Sequence, residues 1–231
     1  LLGSPTDVLT DEQAREFILA QLADADVDGK NVVLVIPDGT RSGPHGLMIQ
    51  AAYDAISDRV ASLHILIALG THAPMDDAQI ARHLGISREE RRTRYAEIKI
   101  YNHDWQTGLR EIGVIPASEI SALSGGLMPE EVRVQVNARL FEYDHLIVCG
   151  PVFPHEVAGF SGGNKYFFPG VSGPDVIDFT HWLAAVITNV NTIGVRDTPV
   201  RRVIDRAAAL IDVPKSCFSM VVTGHDDLAG L

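Results

Sequence analysis

Four short polar segments of this sequence each follow a run of apolar, strand-forming residues, and they carry most of its candidate reactive side chains. Histidine exchanges a proton near neutral pH, arginine binds a carboxylate through two parallel hydrogen bonds, and lysine can contact a phosphate or form a covalent bond. The residues concerned are Asp38, Thr40, Arg41, His72, His103, Asp104, His155 and Lys165, with His181 a little further along the chain.

The first three segments have a structural explanation beside a functional one. Asp38, Thr40 and Arg41 could bind a carboxylate and a hydroxyl, but Asp-Gly is also a common turn. His72 follows a predicted strand and could act as a general base, although an isolated loop histidine is more often structural. For Asn102-His103-Asp104 we expect local turn capping, because adjacent His and Asp side chains seldom face one another.

The segment from Pro154 to Lys165 carries the most specific signal. Its Gly162-Gly163 pair can expose backbone N–H groups to an anion, and it presents His155 and Lys165 ten positions apart. The spacing is neither that of a P-loop nor that of the G-x-G-x-x-G dinucleotide fingerprint. A lysine in such a loop indicates phosphate contact or use of its amine as a covalent attachment point.

His181 lies near the start of a predicted helix, sixteen positions after Lys165. A single histidine is more often a core or capping residue than a metal ligand. The sequence has no cysteine pair, H-E-x-x-H motif or clustered carboxylates that would complete a zinc site made by protein alone. A metal bound through His181 would therefore need further ligands from a cofactor.

Short apolar strands alternate with helices along the chain, which predicts one mostly parallel, Rossmann-like α/β domain with helices on both faces of its sheet. Ligands bind such sheets at the carboxyl ends of the strands, where the polar segments lie. We expect a charged, solvated stretch at 87–94 and a last strand at 218–222. The other predicted strands are 32–36, 63–69, 97–101, 132–136 and 145–149, and the predicted helices are 11–23, 47–60, 76–84, 176–187 and 199–211.

Composition excludes several classes of protein. The chain has 231 residues, 46% hydrophobic and 21% charged, which are the proportions of a folded globular protein. Its net charge of −11 makes nucleic acid and anionic membranes unlikely partners. The longest apolar runs are too short to cross a bilayer, and the first residues lack the pattern of a signal peptide. Cys149 and Cys217 are expected to be buried thiols, which suits the cytoplasm.

Taken together, the motifs resemble the lactate racemase family. The members of this family use a nickel pincer nucleotide, a pyridinium-3,5-bisthiocarboxylic acid mononucleotide that carries nickel and is tethered to a lysine. The resemblance extends in order and spacing across most of the chain, and the segment ending in Lys165 is its specific part. The matching residues are Asp38-Gly39-Thr40-Arg41, Gly70-Thr71-His72, Asn102-His103-Asp104, Pro154-His155-Glu156, Gly162-Gly163-Asn164-Lys165 and His181.

The resemblance implies a role for each of these residues. Lys165 corresponds to the residue joined to the cofactor through a thioamide, and His181 to the protein ligand of nickel. His72 and His155 correspond to an acid/base pair, expected to be similarly tuned, and Arg41 to the residue that binds the substrate carboxylate and hydroxyl. In the implied reaction, a hydride leaves C2 of a 2-hydroxy acid and returns to the opposite face. Further implied contacts to the cofactor come from Asp38, Thr40, Ser161, Gly162 and Gly163.

The family also implies features outside the matched motifs. Its members usually continue into a second domain that closes over the cofactor, so residues 1–231 are expected to be the amino-terminal, cofactor-binding half of a two-domain racemase or epimerase. Its partners would be a small anionic 2-hydroxy acid and the enzymes of cofactor biosynthesis. Ser42 and Ala73 stand where the family often has Pro and Arg, which leaves the hydroxy acid open. Two alternatives remain, a nicotinamide-dependent oxidoreductase and a non-catalytic anion-binding module.

Overall fold

The computed structural model describes residues 1–4, 6, 8–224 and 227–231. Within these residues the helices are α1 (Asp11–Ala23), α2 (His45–Ile56), α3 (Asp77–Leu84), α4 (Arg88–Arg92), α5 (Ala117–Ser124), α6 (Pro174–Ile187) and α7 (Pro199–Ala208). The strands are β1 (Asn31–Pro37), β2 (Ser62–Ala68), β3 (Ile100–Asn102), β4 (Leu109–Ile115), β5 (Val132–Asn137), β6 (His145–Pro151), β7 (Pro154–His155), β8 (Gly159–Phe160), β9 (Lys215–Val222) and β10 (Leu228–Gly230). Short 3-10 helices cover Ala138–Glu142, Gly163–Tyr166 and Asn189–Asn191.

A six-stranded sheet forms the centre of the molecule, with the strand order β10-β9-β6-β1-β2-β3. All neighbouring pairs are parallel except β9 and β10, which are antiparallel. The chain passes from β1 to β2 on one side and later returns to place β6 on the other side of β1. The strand order therefore reverses between β1 and β6, and ligands bind open α/β sheets at such a reversal.

Both faces of the sheet are covered, so its central strands are almost wholly apolar. Strand β1 is buried from Val32 to Pro37, which explains its unbroken run of aliphatic residues. One face packs against α1, α2 and α3. The other packs against the antiparallel strands β4 and β5 and against helices α5, α6 and α7. The predicted fold class is confirmed, including helices on both faces.

Local sequence signals explain where several helices begin and end. Thr10 and Gln13 form a reciprocal capping box at the start of α1, as the spacing predicts. Asp76 and Gln79 form the same arrangement before α3, and Gly85 ends that helix in the left-handed conformation. These caps satisfy backbone groups that the helices themselves leave unpaired.

Four expectations need correction. The stretch 87–94 is not merely solvated, because Ser87 and Glu90 cap a short helix, α4. The strand expected at 97–101 is limited to β3. The strand expected to be last is followed by β10, which pairs with its end. Cys149 is buried as expected, but Cys217 is exposed.

Among the described residues, no helix has both the length and the apolar character needed to span a bilayer.

Candidate active site

The carboxylate of Asp38 follows β1 directly and is only 6% exposed. Its Oδ1 accepts the hydroxyl of Thr40 at 2.6 Å, and its Oδ2 lies 2.6 Å from Nδ1 of His72. Burial by itself would raise the pKa of Asp38, but the hydrogen bonds from Thr40 and His72 outweigh it and hold the pKa below its usual value. Asp38 is therefore an ionised acceptor for the Nδ1–H of His72, which leaves Nε2 of that imidazole able to take a proton.

His155 lies in a small hairpin, β7 and β8, that follows β6, and it is only 7% exposed. Its Nδ1 accepts the backbone N–H of Val157 at 3.0 Å, so the neutral imidazole carries its proton on Nε2. Burial, followed by the nearby positive charge of Lys165, lowers the pKa of His155 to about 4. His155 is thus a neutral hydrogen-bond donor at physiological pH.

The two histidines have different surroundings, although we expected a similarly tuned pair. His72 is half-exposed and is oriented by a carboxylate. His155 is buried and is oriented by a backbone N–H group. The first has Nε2 free to accept a proton, and the second has an Nε2–H group that can donate a hydrogen bond.

Lys165 lies in the 3-10 helix that follows the hairpin, and its amine faces the same cleft. Burial lowers its pKa to about 8, and the positive charges of Arg41 and Arg201 act in the same direction, whereas Glu156 opposes them. About a tenth of the amine is consequently uncharged at pH 7, far more than for an ordinary lysine. Uncharged lysine is the nucleophilic form.

Arg41 approaches from the loop between β1 and α2. Its guanidinium lies over the ring of Phe153, 5.6 Å from the ring centroid, which is a cation–π distance. The carbonyl oxygen of Arg41 is 3.0 Å from Nε2 of His45, and this contact fixes the loop. The aromatic contact leaves the edge of the guanidinium available to a carboxylate in the cleft.

His181 lies on α6 and is exposed toward the cleft. Its Nδ1 is 2.7 Å from the carbonyl oxygen of Ile177, one turn earlier in the helix, and so donates a proton to it. That bond fixes the tautomer and leaves the Nε2 lone pair available. Metal-ligating histidines are commonly oriented by such a bond from the other ring nitrogen.

The side chain of Ser161 and the backbone of Gly162 maintain the shape of the Gly-rich loop. The Ser161 hydroxyl donates to the carbonyl of Pro151 and accepts the N–H of Phe153, both at 3.0 Å, and so closes the base of the hairpin. Gly162 has a φ of +85°, and a Cβ there would lie 2.4 Å from the side chain of Val152. Glycine is required at this position by both conformation and space.

A single cleft of about 200 Å³ brings most of the predicted site residues together at the reversal of strand order. Two predicted residues do not line this cleft: Thr40 faces an adjoining depression, and Gly163 lies outside it. Glu156 and Tyr166 line the cleft, although no role was predicted for them from the sequence. The predicted site residues that line the cleft are Asp38, Arg41, His72, His155, Ser161, Gly162, Lys165 and His181.

The third polar segment lies outside the cleft, and the local turn capping expected for it holds for Asp104 but not for His103. His103 is buried, with Nε2 3.1 Å from the carbonyl of Ser172 and Nδ1 3.0 Å from the amide of Asn137. Asp104 accepts hydrogen bonds within its own turn, from Gln106 and from the hydroxyl of Thr107. Neither side chain lines the cleft.

No group of three or more His, Cys, Asp or Glu side chains within the described part of the chain could hold a metal ion.

Comparison with known proteins identifies the family. A family model described as the lactate racemase N-terminal domain matches residues 18–194. The chain belongs to this family. The lactate racemase of Thermoanaerobacterium thermosaccharolyticum is 29% identical over 161 residues, which cover 66% of this chain and 32% of that protein.

Two solved structures have the same fold. The crystal structure of a protein from Thermotoga maritima matches with a TM-score of 0.86 and 30% identity, over all of this chain and 55% of that one. The lactate racemase apoprotein of T. thermosaccharolyticum matches with a TM-score of 0.70 and 22% identity, over 96% of this chain and 51% of that one. The chain thus spans about a third to a half of the length of these relatives.

Proposed function

We propose that this chain is the cofactor-bearing part of a racemase or epimerase that acts on a small 2-hydroxy acid. The observation that carries the proposal is the cleft, which joins an oriented acceptor histidine, a buried donor histidine, a lysine of lowered pKa and an arginine in one small volume. Family membership favours this function over a nicotinamide-dependent oxidoreductase or a simple anion-binding module.

The residues present fit a nickel pincer nucleotide attached to the chain. Lys165 has an amine that is partly uncharged near neutral pH, as attachment through a thioamide requires. His181 offers an oriented Nε2 as one metal ligand, while the protein supplies no complete metal site of its own among the described residues. When bound, this cofactor would supply a reversible hydride acceptor for C2 of the substrate.

The two histidines would divide the proton transfers between them. Nε2 of His72 would take the hydroxyl proton of one enantiomer, because Asp38 stabilises the resulting imidazolium. To act as the acid, His155 would have to be protonated on both ring nitrogens, so its Nδ1 would exchange the N–H of Val157 for the carboxylate of Glu156, now 3.7 Å away. Nε2 of that imidazolium would then donate a proton on the other side of the substrate and leave a neutral imidazole. The reverse reaction exchanges these roles, which requires Nε2 of His155 to accept a proton after giving one up.

Arg41 would bind the carboxylate common to all 2-hydroxy acids. The guanidinium can form two parallel hydrogen bonds to that group and so fix C2 between the histidines. Because the chain as a whole is strongly acidic, the local positive charge of Arg41 is needed to attract an anion to the cleft. Further cofactor contacts are proposed for Asp38, Thr40, Ser161, Gly162 and Gly163, through carboxylate, hydroxyl and backbone groups.

The proposal extends to the rest of the enzyme and its surroundings. Residues 1–231 would be the amino-terminal domain, and a second domain would close the cleft and exclude water from it. The enzyme would act in the cytoplasm, where cofactor-biosynthesis enzymes load it.

The decisive experiment is peptide mass spectrometry with nickel analysis on the chain produced together with cofactor-synthesis enzymes. We expect an added mass on the peptide that contains Lys165, with one nickel per loaded chain. Lys165→Ala should abolish the addition without unfolding the protein, and Lys99→Ala should leave it intact because Lys99 is exposed and far from the cleft. A folded wild-type chain that stays unmodified, where a lactate racemase is loaded, would overturn the proposal.

A further inference from the structure

Helix α7 contacts the loop that ends in Lys165, and it lies beyond the residues that match the family model. The guanidinium of Arg201 donates hydrogen bonds to the carbonyl oxygens of Phe160 and Gly162, the latter at 3.4 Å. Both carbonyls belong to the Gly-rich stretch just before Lys165. Arg201 thus joins α7 to the segment that positions the lysine.

A second contact from the same helix holds the other side of this stretch. Asp205, one turn after Arg201, accepts a hydrogen bond from the Asn164 amide at 2.9 Å. Residues four apart share one helix face, so the two side chains act on the loop together. Asn164, the residue before Lys165, is therefore also held by α7.

Arg201 also places a positive charge near the amine of Lys165. Burial has the largest effect on the pKa of that amine, and Arg41 and Arg201 both lower it further, while Glu156 opposes them. Burial lowers the pKa of Arg201 itself, partly offset by Asp205. The guanidinium nevertheless keeps its charge, because arginine is protonated throughout the physiological range.

Helix stability does not account for an arginine at this position. Arg201 lies in the first turn of α7, and its backbone N–H is bound by the capping hydroxyl of Thr198. A cation in the first turn of a helix is unfavourable because the helix dipole has its positive end there. The carbonyl oxygens of the loop, not the helix, are the groups that favour the guanidinium.

We propose that Arg201 is a positioning residue for Lys165, which fixes the loop through two carbonyl oxygens and places a positive charge near the amine. The inference rests on the proposed function in one respect, namely that Lys165 is the attachment residue. It assigns to Arg201 two separable effects, one on loop order and one on protonation of the amine.

Competitive acetylation with acetic anhydride, followed by peptide mass spectrometry, measures the reactivity of each lysine as a function of pH. Exposed Lys99 serves as the internal reference. In the wild-type chain we expect acetylation of Lys165 to have its midpoint near pH 8. In Arg201→Met the midpoint should rise by less than one pH unit, because burial and Arg41 lower the pKa more than Arg201 does, and acetylation at pH 7 should slow by about two- to fivefold.

Two further variants separate the effects. Arg201→Lys keeps the charge but loses the forked donor, so the midpoint should stay near that of the wild type while amide hydrogen exchange at 158–165 becomes faster. Arg202→Met is the matched control, because Arg202 pairs with Asp197 on the surface and should affect neither measurement.

A folded Arg201→Met chain with the wild-type midpoint would overturn the proposal. If that variant does not fold, unchanged hydrogen exchange in Arg201→Lys would overturn it instead. Acetylation needs no cofactor, so a wild-type chain that acetylates as expected but never loads would contradict the proposed function and leave the role of Arg201 standing.

Discussion

Replacement of His155 by Gln should change how the stability of the protein depends on pH. The pKa of His155 is about 4 in the folded chain, against 6.5 for an ordinary histidine, because burial and then the charge of Lys165 disfavour the imidazolium. As the pH falls, His155 is therefore protonated at a higher pH in the unfolded chain than in the folded chain. The contribution of the neutral His155 to the free energy of unfolding is complete above about pH 6.5 and is lost as the pH falls toward 4. At about 1.4 kcal/mol per pH unit it amounts to about 3 kcal/mol.

Urea unfolding at several pH values between 4 and 7.5 measures this contribution. The unfolding free energy of the wild-type chain should fall more steeply with acid than that of His155→Gln, whose amide oxygen can still accept the N–H of Val157. The difference between the two profiles should change by about 2–3 kcal/mol across the range. Gln106→Ala, which alters an exposed side chain that does not titrate, should follow the wild-type profile. Parallel profiles for the wild type and His155→Gln would refute the reasoning.

Three further substitutions test the site and its support. Asp38→Asn removes the carboxylate that orients His72, so kcat of the loaded full-length enzyme should fall about 10²- to 10⁴-fold in a chiral assay of 2-hydroxy acid racemisation. Gly150→Ala would place a Cβ 2.1 Å from the Tyr166 hydroxyl and should lower the unfolding free energy by about 1–3 kcal/mol, measured by urea denaturation. His103→Leu should cost about 1–3 kcal/mol for each buried partner left unpaired, measured in the same way.

Matched variants control for two of these changes. Asp104→Asn removes an exposed carboxylate that only caps a turn, so kcat should be retained, and an equal loss would contradict the role of Asp38. Gly39→Ala brings a Cβ no closer than 3.6 Å to Met75, so it should cost little. If Gly39→Ala destabilised the chain as much as Gly150→Ala, crowding at Tyr166 would not be the cause.

The central strands could be predicted because burial on both faces imposes a simple pattern. Strands β1, β2 and β6 are unbroken aliphatic runs, which are typical of parallel strands covered by helices. Strand β4 was not predicted, because the shift in register between Glu111 and Gly113 breaks its alternation. Strand β10 was not predicted either. It has only three residues, and its strand conformation depends on pairing with β9 more than on its own composition.

The residues of the candidate site could be predicted from their positions at strand ends, but their contacts with one another could not. The sequence placed Asp38, His72 and His155 after strands, and parallel strands bring such ends to one edge. It could not distinguish the two histidines, because their partners, a carboxylate from another loop and a backbone N–H, are set by tertiary packing. No role was predicted for Arg201, because an arginine on an amphipathic helix is ordinarily exposed to solvent.

The positive charges of the cleft link attachment of the cofactor to the acid/base chemistry. Arg41 and Lys165 both lower the pKa of His155, after burial, and Arg41 also lowers that of Lys165. Formation of the proposed thioamide would remove the charge of Lys165, because the nitrogen could no longer be protonated near neutral pH. The pKa of His155 would then rise toward its ordinary value, where an imidazole exchanges protons efficiently. In the proposed function, modification of the lysine would thus bring the histidine closer to a form that exchanges protons near neutral pH.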